Sequence, residues 1–254
     1  QSDYNNVLAL DSALVAERPL LSGGSENYPT LYDWQVGTTQ DVYSLSHEPL
    51  FADEVNGDFH PASRVGRFRA DGSLTNDMTN SPLLDAGNPL SVYTNELAPN
   101  GSNVNIGSYG NTAFASLSET NPWLLAVSFN ARTTIRGTNI VRWRYGGMTN
   151  TSRVRLEYSR NGGIDWSTVI SNWPVASGYP WDVSGELVTL HAKWRVISET
   201  HAGVMDEVDD EFIIKNQALT IYVNDTNTIG DMYCSAPGSS GNSGLTNSAP
   251  LDDP

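Results

Sequence analysis

Between residues 121 and 217 apolar and polar positions alternate with a period of two. In NIVRWRY (139–145) Val141, Trp143 and Tyr145 share one face, and Arg142 and Arg144 share the other. RVRLEYS (153–159) sets Val154, Leu156 and Tyr158 against Arg153, Arg155 and Glu157, and KWRVIS (193–198) repeats the design with Trp194 and Val196. This pattern predicts antiparallel strands with one buried and one wet face. Further strands are predicted within 123–129, 165–171, 179–183 and 211–215.

Before residue 118 the pattern changes. Apolar runs shrink to pairs and triplets such as Leu83–Leu84 and 104–106, each long enough for one short strand. Pro82, Pro89 and Pro99 fix φ and cannot donate to a ladder, while Gly87, Gly101, Gly107 and Gly110 admit conformations closed to other residues. One helix is predicted, with Thr30 as N-cap, Leu31 and Trp34 on one face and Gly37 at its end. It would pack Trp34 over its surroundings before short strands resume at Leu45, Leu50 and Phe51. RFRADGSLTND (67–77) carries a DG turn between alternating runs, a hairpin signature whose arginines would face solvent.

Four segments in the first half carry a resemblance: GDFH (57–60), SRVGRF (63–68), SPLLDAGNP (81–89) and PNGSNVNIGSYGNT (99–112). Together they resemble the C-terminal end of bacterial right-handed parallel β-helix domains of the pectate-lyase-like type. SDYNN (2–6) and SLSHEPLFAD (44–53) resemble the coils before that ending. The resemblance implies a fold and a large modular secreted or surface host, without implying an activity. About seven predicted strands in roughly a hundred residues is the number expected of an immunoglobulin-like sandwich. Because paired cysteines are missing, 121–217 resembles bacterial Ig-like spacer modules.

The expected fold class is therefore all-β, in three parts. Residues 1–118 would be terminal coils and cap of a parallel β-helix, 121–217 an Ig-like sandwich, and 218–254 a lead-in strand with the disordered start of another β-helix module. The segment 221–244 resembles such a lead-in. The stretch after about residue 225 offers little apolar surface to offset its ordering entropy. The abrupt QSDYNN opening predicts an excised piece of a longer polypeptide, with any export signal elsewhere.

Charge is lopsided. Residues 1–120 hold four bases and fifteen acids, residues 121–217 ten of each, and the tail four acids, for a net charge of −15. That balance argues against nucleic acid or an anionic bilayer as partner and suits an extracellular or cell-surface protein. No apolar run approaches the length of a membrane span. Cys234 is the only cysteine, so no intrachain disulfide can form.

Motif chemistry is sparse. His47, His60, His191 and His201 are scattered, and no HExxH, G-x-S-x-G or phosphate-cradling glycine loop is present, so neither a catalytic residue nor a metal or cofactor is expected. The spacing of Asp225, Asn227 and Asp231 lacks the terminal Glu and flanking helices of a calcium loop and reads as a solvated turn. Lyase-type β-helices need a basic group beside calcium-binding acids, and the first half offers only Arg18 near Asp11 or Glu17 outside the hairpin. Asp53, Glu54 and Asp58 are neighbours on a loop, without the opposed placement of a hydrolytic pair. The run Asp206, Glu207, Asp209, Asp210 and Glu211 reads as a solvated edge that discourages strand addition. SRNGGIDW (159–166) resembles a degenerate Asp-box, whose role is to close a hairpin.

Two features suggest binding. Trp173, Tyr179 and Trp181 lie close in sequence near turns, where aromatics either stack on sugar rings or anchor a core. The basic face of Arg142, Arg144, Arg153, Arg155 and Arg195 either docks on the acidic first half or is solvated with local pairs to Glu157. The resulting expectation is a non-catalytic structural or adhesive fragment, with a stiff β-helix stalk and an Ig-like spacer. Its partners would be an extracellular polysaccharide or neighbouring modules of the same polypeptide. The alternative is the ending and accessory carbohydrate-binding region of a β-helix lyase or hydrolase.

Overall fold

The computed structural model describes residues 2–11, 13–176, 178–216, 222–227, 229, 230, 232–239, 242 and 246–250. Over these residues the structure is of the all-β class, with short strands and a single α-helix. Its sheets are small and unclosed. Asp231 and the lead-in positions 221, 228, 240, 241, 243 and 244 lie outside the described residues, as do 218–220, 245 and 251–254.

In the first half every pair of named strands is antiparallel. β1 (Ala16–Pro19) pairs with β2 (Ser25–Tyr28), β3 (Phe51–Asp53) with β4 (Asp58–Pro61), and β5 (Arg67–Phe68) with β6 (Leu74–Thr75). The parallel pairing described there is one isolated bridge, Asn6 to Leu45. The expected hairpin at 67–77 is the β5–β6 pair, with Gly72 at φ +81° in its turn. Arg69 is exposed as expected, whereas Arg67 is not. Arg67 is largely buried and pairs with Asp77 at 2.9 Å and Asp58 at 3.2 Å, because the hairpin folds back onto β4.

The helix α1 (Leu31–Thr38) starts as predicted, with Thr30 and Asp33 forming a reciprocal capping box. It ends two residues later than predicted, with Thr39 as its C-cap in the left-handed region at φ 58°. Gly37 serves packing instead: a Cβ there would sit 2.5 Å from the ring of Tyr28. Trp34 meets Tyr28 edge to face and donates its indole N–H to Asp41 at 3.0 Å.

Leu83–Leu84 lie in a turn and 104–106 in irregular backbone ending in a bend, instead of strands. They still meet, through Ile106 N–H to the Leu83 carbonyl at 2.9 Å and Gly87 N–H to the Val104 carbonyl at 2.9 Å. Ladder bonds are few, so buried Ser and Asn side chains satisfy the remaining backbone groups. Ser63 Oγ donates to Leu117 O, Ser116 Oγ to Pro61 O and Asn105 Nδ2 to Ser116 O. The buried carboxylate of Glu96 accepts the backbone N–H groups of Asn105 and Asn111. Leu45, Ala62, Leu83, Ala86, Ala115 and Leu117 are buried among these bonds.

In the second half all seven predicted strand segments contain strands. The ten strands among the described residues there are β7 (Trp123–Ala126), β8 (Thr134–Ile135), β9 (Thr138–Val141), β10 (Trp143–Gly146), β11 (Arg153–Ser159), β12 (Ser167–Pro174), β13 (Tyr179–Asp182), β14 (Thr189–Ser198), β15 (Met205–Glu207) and β16 (Phe212–Ile214). Of these, β8 and β15 lie outside the predicted segments. The single strand predicted over 139–145 is split at Arg142, whose carbonyl accepts from Val127 and Ser128, so β9 pairs with β13 and β10 with β7. The main sheet runs β12-β11-β14-β16-β8, with β15 beside β14. One apolar cluster joins that sheet to both pairs, through Ala126, Val141, Trp143, Leu156, Trp181, Trp194 and Phe212 among others.

The Asp-box-like turn closes the β11–β12 hairpin. Gly162 and Gly163 supply the positive φ, at 69° and 92°. Asn161 contributes hydrogen bonds instead, accepting from the Asp165 N–H at 2.9 Å and donating to its carboxylate at 2.9 Å.

Candidate functional site

The two halves meet in a bonded seam. Asn130, buried just after β7, occupies its centre. Its Oδ1 accepts the Asp209 N–H at 2.7 Å, while Nδ2 donates to the Ser46 carbonyl at 3.1 Å and to Asp209 Oδ2 at 2.8 Å. His47 Nδ1 lies 3.2 Å from the same Asp209 oxygen. Beside this knot, Tyr32 on α1 donates its hydroxyl to Asn139 on β9 and packs edge to face on Phe129.

The basic face divides between the two roles open to it. Arg144 donates to the Tyr43 carbonyl at 2.7 Å and lies over the ring of Tyr4, and Arg142 lies over Tyr43, whose ring stacks on Tyr4. Burial depresses the pKa of both guanidinium groups. Arg155 and Arg195 instead hold Glu157 at 2.7 and 2.5 Å, and Arg195 also covers Trp166. Arg153 caps nearby carbonyls, including Thr151 O at 3.1 Å. Cation–π and carbonyl contacts, more than acid–base pairs, thus join the basic residues to the first half.

Next to the knot a cleft of about 630 Å³ opens between the halves. Leu8, Leu10, Leu50, Leu84, Trp123 and Leu125 give it apolar walls. The carboxylates Glu48, Asp85, Glu119, Asp206, Asp209 and Asp210 also line it, and neither Lys nor Arg does. Burial pushes Asp85 up to about 6 against the hydrogen bond it accepts from Ser118. Asp206 is likewise raised to about 6 by burial, although it accepts the Ala126 N–H at 2.7 Å. Asp209 is held below its ordinary value, chiefly by His47.

The acidic run is therefore more than a solvated edge. Asp206 is bonded across to β7, Asp209 to the knot, Glu207 to Lys193 at 3.0 Å and Glu211 to His191 at 2.7 Å. Asn130, His47 and Asp206 carried no functional signal in the sequence, since their partners lie about eighty residues away or more.

The aromatic trio separates. Trp181 is 4% exposed and packs against Tyr158 and Phe212, so its ring faces belong to the core and cannot stack on a sugar. Trp173 and Tyr179 are half-buried and meet edge to face at 5.1 Å. Tyr179 and an edge of Trp181 line an open depression with Arg160, Asn161, Asp165 and Glu186, whereas Trp173 does not. Among the described residues no group of His, Cys, Asp and Glu is arranged to hold a metal ion, and no helix is long and apolar enough to cross a membrane.

Comparison of the chain with protein-family models, with curated proteins and with solved structures found no match.

Proposed function

We propose that the chain is a non-catalytic structural fragment of a modular secreted or cell-surface protein. On this reading the first half is the ending of a parallel β-helix and residues 121–217 form an Ig-like spacer. The carrying observation is the seam: Asn130, His47, Asp209, Tyr32 and Arg144 tie the halves by side-chain bonds. Such a seam transmits orientation and load from one module to the next, the property a spacer needs. The Asn6–Leu45 parallel bridge supports stacked coils in the first half, where the named strand pairs are antiparallel. Seven predicted segments sharing one core support a sandwich in the second.

The test is small-angle scattering of the wild type beside Asn130→Ala. A single rigid envelope for the wild type, loosened by the variant, is expected. A wild-type profile of two freely jointed bodies would overturn the reading, as would turnover of uronate-containing polysaccharide by the purified chain.

A second reading, an accessory carbohydrate-binding region, is favoured by one observation. The depression beside Tyr179 combines aromatic surface with Asn161, Asp165 and Glu186, the mixture that suits a polyhydroxy ligand. Glycan-array binding that is lost in Tyr179→Ala would support it, and an array without signal would reject it.

A further inference from the structure

We infer that the cleft between the halves binds a peptide segment of a partner protein, through a lysine or arginine flanked by aliphatic residues. Two independent features carry this. The first is charge complementarity. The cleft has apolar walls around Trp123 and Leu50 and neither Lys nor Arg in its lining, and the carboxylates of Glu48 and Asp210 have no hydrogen-bond or ion-pair partner among the described residues. A carboxylate at the mouth of an apolar cleft is paired most effectively by a cation whose own stem is apolar, as the side chains of lysine and arginine are.

The second feature is His47. It is 5% exposed, lines the cleft, and its Nε2 has no hydrogen-bond partner. Asn130 Nδ2 lies within hydrogen-bond distance of Ser46 O, Asp209 Oδ2 and His47 Nδ1, at 3.1, 2.8 and 3.0 Å, and His47 Nδ1 lies 3.2 Å from Asp209 Oδ2. In the Nδ1–H tautomer, which donates to Asp209, Nε2 keeps its lone pair as an acceptor. A ligand that donates hydrogen bonds and carries positive charge satisfies both features. A cleft of about 630 Å³ holds more than a single side chain, which favours a segment with apolar neighbours over an isolated cation.

The probe is the acetylated, amidated tripeptide Leu-Arg-Leu, titrated into the ¹⁵N-labelled full chain and followed by amide and indole shifts. Saturable shifts at Trp123, Leu124 and Leu125 with a dissociation constant below about 1 mM are expected. Combined Glu48→Gln and Asp210→Asn should weaken binding at least fivefold, and His47→Gln should weaken it if folding is retained. The surface pair Asp11→Asn and Glu17→Gln should leave it unchanged. The inference is overturned if no saturable shift appears, or if Leu-Glu-Leu binds equally. It is also overturned if the surface pair weakens binding as much as the cleft pair, or if free butylguanidinium binds as tightly as the tripeptide.

Discussion

Asn130 and Asp209 are bonded twice, the amide oxygen of one accepting the backbone N–H of the other while the amide nitrogen donates back to its carboxylate. The same amide nitrogen reaches the Ser46 carbonyl in the first half. One buried side chain therefore satisfies groups from two chain segments, 46–47 and 209–210, and its removal strands them together.

Asn130→Ala should destabilise the chain by about 2–4 kcal/mol, because several buried polar groups lose their partners together. Urea denaturation followed by tryptophan fluorescence and by circular dichroism checks this. The wild type should unfold in one transition by both probes, and the variant should show two that no longer coincide.

Arg144→Ala should cost about 1–2 kcal/mol through loss of the Tyr43 carbonyl bond and the contact over Tyr4. Arg144→Lys should recover only part of this, since an ammonium lacks the planar fork. Salt should matter little, because these contacts are short-ranged and partly desolvated. Thermal melts of the three proteins at low and high salt make the comparison, and a wild-type stability that collapses at high salt would contradict it.

Stability should rise as pH falls from 7 toward 5. Asp85 and Asp206 have folded pKa values of about 6, above the ordinary 3.8, so between those values the folded chain binds protons that the unfolded chain has released. Their contribution is full below 3.8 and is lost as pH rises through about 6. Asp41, Asp58, Glu157 and Asp209 have lowered values, so the stability they contribute disappears under more acidic conditions. A maximum between about pH 4 and 6 is expected. Asp85→Asn with Asp206→Asn should flatten the slope above it, read from denaturant midpoints across pH.

Trp181→Ala should cost about 3–5 kcal/mol, as emptying a core site does. Trp173→Ala, at a half-buried edge position, should cost clearly less. Equal losses measured by chemical denaturation would place Trp173 in the core as well.

Much of the local structure was legible from residue order. The alternation of Val154, Leu156 and Tyr158 is buried as expected, and Thr30 caps its helix. The Asp-box-like segment closes a hairpin, as its resemblance implied, with Gly162 and Gly163 at positive φ. Other expectations failed where a distant neighbour intervened. Gly37 is needed for the approach of Tyr28 and not as a stop, and Arg67 turns inward because Asp58 and Asp77 flank it.

The sequence by itself determined which faces are apolar and where turns fall, because side-chain periodicity and backbone propensity act over a few neighbouring residues. Tertiary structure alone decided that Arg142 and Arg144 dock while Arg155 and Arg195 pair with Glu157, and that Trp181 is core. It also decided that carboxylates from both halves line one cleft. Those outcomes depend on which segments far apart in the chain come within a few ångströms, and desolvation and hydrogen bonding act only over that range.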